Sequence, residues 1–118
     1  PDGSGVRDYI HVTDLAKAHL AALNHLNHPN IYKAYNIGAG KADSVLEMID
    51  AFKKASGKDI PYEITARRPG DIAACYADPS LASKELGWKA ELTIKDSCKS
   101  SWKWQKQNPN GFNVIGKL

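Results

Sequence analysis

Residues 5–23 read GVRDYIHVTDLAKAHLAAL. The stretch changes period in its middle, and that change decides the fold class. In 6–12, Val6, Asp8, Ile10 and Val12 alternate with Arg7, Tyr9 and His11, the period of two that argues a strand. Arg7 and Tyr9 then project together from one face. From residue 13 to 26 the period becomes helical. Thr13 suits an N-cap and Asp14 the positive end of the helix dipole. Leu15, His19, Ala22, Leu23 and Leu26 fall on one face, which predicts a core stripe.

Reading outward, the alternation repeats. AYNIGAG, residues 34–40, predicts a strand running into a glycine turn. Ser44 and Glu47 then form a capping box ahead of the apolar stripe Val45, Met48, Ile49, Phe52 and Ala55, with Gly57 as the stop. PYEITA (61–66) predicts a further strand, and AACYA (73–77) an extended one. Asp78 and Pro79 open a short helix that Gly87 closes. Thr93 caps a last helix, which Pro109 ends. Strands and helices taking turns place the chain in the α/β class.

Composition excludes some classes. The 118 residues suit one domain. Sixteen Lys and Arg against 13 Asp and Glu give a net charge of +3, too mild to argue for nucleic acid. No apolar run approaches the ~20 residues of a membrane span. Cys75 and Cys98 match no metal or redox spacing, which fits a reducing, cytoplasmic setting. The turn-rich opening PDGSG suggests a piece of a longer polypeptide.

Several residues invite a chemical reading. Gly38-Ala39-Gly40 follows a strand and precedes a helix, as a dinucleotide fingerprint does, but position 43 is Asp43 rather than the third glycine. A tight turn is the favoured use. The histidines show no paired ligand spacing, and His19 on an apolar face reads as a core residue. Lys95, Lys99, Lys103 and Lys106 line one side of the last helix, favoured as a solvated face over a nucleic-acid or membrane surface. ARRPGD, residues 66–71, is different. Two guanidinium forks and a carboxylate about a Pro-Gly turn suit a diphosphate and its ribose. Arg7 could add another fork. A surface salt bridge between Arg68 and Asp71 explains the same residues equally well.

The ordered set GVRDYIHVTDLAKAHLAAL, YNIGAG, SVLEMIDAF, RRPGD and ELGWKAELTIKDSCKSSWKWQKQNPNGF resembles the C-terminal part of the UDP-glucose 4-epimerases, also called UDP-galactose 4-epimerases. These are extended short-chain dehydrogenases of galactose metabolism. The resemblance covers nearly the whole chain. It implies that residues 1–118 are the UDP-sugar-binding portion and that the NAD-binding Rossmann lobe is absent from this chain. It carries Arg7 and Arg68 over as the diphosphate clamp, Asp71 as a holder of the nucleotide through its ribose, and Tyr9 and Val45 as lining residues. Arg67 is left for another role, such as a salt bridge. Cys75 takes a position that lies beside the C2 substituent of the sugar. A small residue there implies acceptance of UDP-N-acetylglucosamine and UDP-N-acetylgalactosamine beside the plain hexoses.

The family's reaction removes a hydride from C4 to NAD and returns it to the other face. It needs a glycine-rich NAD loop and a Tyr-x-x-x-Lys base. None of the five tyrosines has Lys four positions on, and no complete G-x-x-G-x-x-G occurs. The resemblance therefore implies a chain with no catalytic residue of its own and an intact enzyme that is a cytoplasmic homodimer. A nucleotide-sugar dehydratase or decarboxylase is the nearest alternative. A basic nucleic-acid or membrane module is a distant one.

Overall fold

A computed structural model describes residues 2–26 and 32–111. The elements run β1 (Val6–Arg7), α1 (Val12–His25), β2 (Asp43–Ser44), α2 (Val45–Ser56), β3 (Ala74–Cys75), α3 (Ser80–Leu86) and α4 (Ile94–Gln107). The class is mixed α/β. The sheet has order β2-β1-β3, with β2 antiparallel and β3 parallel to β1. Val6 faces Ser44 and Ala74; Arg7 faces Asp43 and Cys75.

The expected strand 6–12 is paired only over Val6–Arg7. Asp8 explains why. Its Oδ1 accepts from the Ala39 amide at 2.8 Å, and its Oδ2 from the amides of Gly40 and Ala77 at 3.1 and 3.3 Å. A side chain thus takes donors that a longer ladder would give to backbone carbonyls. Residues 34–40 form no strand either: the Ala39 and Gly40 amides at their end go to Asp8, and no strand among the described residues pairs with the rest. The segment 61–66 also lacks strand pairing, since no neighbouring strand among the described residues lies alongside it.

The cap of α1 is His11 rather than Thr13. His11 Nδ1 accepts from the Thr13 amide at 3.1 Å, and its Nε2 lies 3.0 Å from Ser100 Oγ on α4. One imidazole thus starts one helix and ties it to another. The face expected in the core is open towards its C-terminal end: Leu23 and Leu26 are each 61% exposed, while Leu15 and Ala22 are half-buried. His19 is exposed too, its Nδ1 2.8 Å from the Leu15 carbonyl. The buried face carries Asp14 and Ala18 instead. Ala18 packs with Ala82 of α3 and with Trp88, flanked by Ile10, Tyr35 and Leu86. Trp88 Nε1 donates to the Asp14 carbonyl at 3.0 Å, and Asp14 Oδ2 accepts the amides of Glu91 and Leu92. Asp14 therefore docks the turn after α3 onto α1. The end of α1's expected loop, residues 27–30, lies outside the described residues.

The helices read from caps form as expected. Ser44 and Glu47 make a reciprocal capping box on α2, and Gly57 closes it in the left-handed region at φ 68°. Thr93 and Asp96 do the same for α4. On α3 the N-cap is Pro79, one position off, while Asp78 Oδ1 accepts from the Ser80 amide. α4 packs on α2, where the Cys98 thiol lies 3.6 Å from Met48 Sδ. Burial pushes that thiol's pKa up. Lys95, Lys99, Lys103 and Lys106 point to solvent.

Candidate functional site

The Val6 amide donates to the Ala73 carbonyl at 2.9 Å, which locks β1 beside β3 and brings Arg7 to the 67–71 turn. Pro69 and Gly70 occupy the central positions of that turn. Gly70 has φ 80°, and the Asp71 amide donates back to the Arg68 carbonyl at 3.2 Å. A Pro-Gly pair with a positive second φ is what a type II turn requires. Asp71 then stands between two guanidinium groups. Its Oδ1 accepts from Arg7 Nη2 at 3.0 Å, and its Oδ2 lies 3.8 Å from Arg68 Nη2. Arg7 Nη1 also donates to the Val6 carbonyl at 2.7 Å.

Beside this cluster opens a cavity of about 480 Å³. One wall is the start of α2, with Val45, Leu46 and Ile49; the other is the segment carrying Tyr62, Arg68 and Asp71. Val45 is placed there by a 3.0 Å hydrogen bond from its amide to the Gly5 carbonyl. An apolar floor with cationic forks at one edge can hold a planar or sugar-like body and an attached anion.

The expected site residues divide into groups. Arg7, Arg68 and Asp71 come together, and Val45 joins them across the cavity. Cys75 is exposed and stands in register with Arg7, so the two share one face of the sheet. Tyr9 is set apart: it lines a smaller cleft of about 180 Å³ with Lys41, Asp43 and the turn before α4. With β1 ending at Arg7, the shared face expected for Arg7 and Tyr9 does not extend that far. Arg67 lines the larger cavity and has no carboxylate within 4.0 Å among the described residues, so the salt bridge suggested for it is not made. Leu46, Ile49 and Tyr62 were not anticipated as lining. The alternation of Tyr62 and Ile64 in PYEITA was the available signal.

Gly38-Ala39-Gly40 is a closed turn. A Cβ on Gly38 would meet Asp8 Oδ2 at 2.4 Å and Ala77 Cβ at 2.6 Å. The Ala39 and Gly40 amides already donate to Asp8. No open cradle for a dinucleotide phosphate remains there. Among the described residues no group of three His, Cys, Asp or Glu is placed to hold a metal, and no helix is long and apolar enough to cross a membrane.

A family model described as GDP-mannose 4,6 dehydratase matches residues 2–101. A UDP-glucose 4-epimerase of Bifidobacterium longum is 62% identical over 112 residues, covering 95% of this chain and 33% of that protein. The UDP-glucose 4-epimerase of Bos taurus is 60% identical, with 96% and 32% covered. The crystal structure of the B. longum enzyme, solved in complex with NAD+ and UDP, superposes with a TM-score of 0.89 over 95% of this chain and 33% of that one. The chain thus spans about a third of the length of these relatives.

Proposed function

The chain belongs to the family described as GDP-mannose 4,6 dehydratase, within the extended short-chain dehydrogenases, and from that premise we propose that residues 1–118 are the C-terminal UDP-sugar-binding portion of a UDP-glucose 4-epimerase. The activity is the interconversion of UDP-galactose and UDP-glucose. The observation that carries the reading is the convergence of Arg7 and Arg68 on Asp71 at the edge of an apolar cavity.

In this reading Arg7 and Arg68 neutralise the diphosphate. Guanidinium forks match its oxygens bidentately, which a lysine cannot do. Val45 and the neighbouring apolar wall take the uncharged part of the nucleotide, and Asp71 accepts from the ribose. Tyr9 stands in its own cleft and is given no contact with the nucleotide. Cys75, beside Arg7, leaves room next to the sugar, so the N-acetylated UDP-hexosamines are accepted as well. NAD supplies the hydride chemistry at C4 in this family. The closed Gly38–Gly40 turn does not fit a dinucleotide, so the proposed NAD site lies outside the residues described. The intact enzyme is proposed to be a cytoplasmic homodimer with no nucleic-acid or membrane partner.

The test is the product formed from UDP-galactose by the full-length protein carrying this chain. UDP-glucose with no net oxidation is expected. A released keto sugar would replace the epimerase reading with a dehydratase or decarboxylase. Arg7→Ala and Arg68→Ala should each raise KM, with Arg7→Ala the more severe because its side chain is 33% exposed against 86% for Arg68. Wild-type kinetics in both variants would remove the clamp.

A further inference from the structure

Arg7 and Arg68 come from opposite halves of the chain, and what joins them is one carboxylate. Each oxygen of Asp71 faces a different guanidinium, at 3.0 Å and 3.8 Å. Asp71 is itself held by the turn through its amide. The two arginines are not equally anchored. Arg7 keeps a second hydrogen bond, to the Val6 carbonyl. Arg68 is 86% exposed, and Asp71 is the carboxylate within ion-pair reach of it among the described residues. Without that carboxylate, two like charges would face one cleft with no counter-charge between them.

We propose that Asp71 is a positioning residue: it preorganises Arg7 and Arg68 as one anion clamp, and this role is separate from any contact with the ribose. The proposal rests on the diphosphate reading of the cleft. It makes a prediction of unusual sign. On charge alone, removing a carboxylate beside an anion site strengthens anion binding. If the carboxylate holds the forks in place, removing it weakens binding, because the ligand must then order both side chains itself.

The experiment uses the full-length protein carrying this chain. Affinities for UDP and for 2′,3′-dideoxy-UDP, which lacks the ribose hydroxyls, are measured by calorimetry for wild type, Asp71→Asn, Asp71→Glu, Arg7→Ala and Arg68→Ala. Asp71→Asn is expected to weaken the dideoxy ligand by about tenfold, the scale of reordering one long side chain, and UDP by at least as much, since UDP also loses the ribose contact. KM should rise while kcat stays, and Asp71→Glu should restore part of the loss. Adding Asp71→Asn to Arg68→Ala should cost less than it does alone. A loss confined to UDP would assign Asp71 to the ribose and overturn the positioning role. Unchanged or tighter binding of both ligands would overturn it too. If instead both arginine variants bind both ligands as wild type does, the diphosphate reading itself has failed.

Discussion

The Asp8 carboxylate and the Ala39 amide are 2.8 Å apart across 31 residues of sequence. The same carboxylate holds Gly40 and Ala77, so one side chain ties the strand carrying Arg7 to the loop before β2 and to the segment after β3. Gly38 lets this happen by leaving its Cβ space to Asp8. Gly38→Ala should therefore destabilise the protein by about 1–3 kcal/mol, through overpacking against atoms that are themselves held. Urea unfolding of the variant would check this. A midpoint equal to wild type would mean that the turn can open without loss.

Cys75 stands in register with Arg7 on an exposed strand. Cys75→Tyr in the full-length protein should spare turnover of UDP-galactose and suppress the N-acetylated substrates. The expected discrimination is about ten- to a hundredfold, the scale of forcing a larger group into a filled space. Equal effects on both substrate types, or a wild type inactive on the acetylated sugars, would remove Cys75 from the specificity of the site.

Hydrogen bonds from the Thr93 hydroxyl and then from its amide hold Asp96 below the ordinary carboxylate range. Such a group stabilises the fold fully above the unfolded value and loses that contribution as pH falls through the depressed folded value. Wild type should exceed Asp96→Asn in stability at neutral pH, and the gap should close below about pH 4. Glu85, lowered by Lys33 and then by Tyr35, adds to the same acid limb. A gap that stays constant into strong acid would deny the capping carboxylate this role.

The outward face of α1 presents Val12, Leu20, Leu23 and Leu26, each more than 60% exposed. A contiguous apolar stripe promotes association. The 118-residue chain alone should self-associate, bind a hydrophobic dye and show no epimerase activity with NAD added. A sharp cooperative melt of a monomer, or conversion of UDP-galactose, would count against this.

What could be read in the sequence was what is decided locally. The capping box at Ser44, the cap at Thr93 and the stops at Gly57 and Gly87 depend on a few neighbouring residues, and they form as expected. The strands were overread, because pairing depends on partners far away and Asp8 replaces a ladder with a carboxylate. The stripe of α1 was read correctly as apolar but not as open, since periodicity reports a face and not what covers it. The core formed instead around Ala18, where small size admits Trp88. At the site, the meeting of Arg7 and Asp71 has no local signature. It follows from two residues of parallel pairing; the residue types alone left it open, and the resemblance supplied it. Tyr9 fell away from that group once the strand stopped short.

The three indoles of this chain, Trp88, Trp102 and Trp104, differ in burial and make it its own reporter. Trp88 is 5% exposed with its N–H engaged, whereas Trp104 is 45% exposed. A collisional quencher in solution reaches the second and not the first. With the half-buried Trp102 of α4 replaced by Phe, the fluorescence that survives quenching comes from the junction of α1 and α3, and its loss on heating times the parting of those two helices without any label being attached.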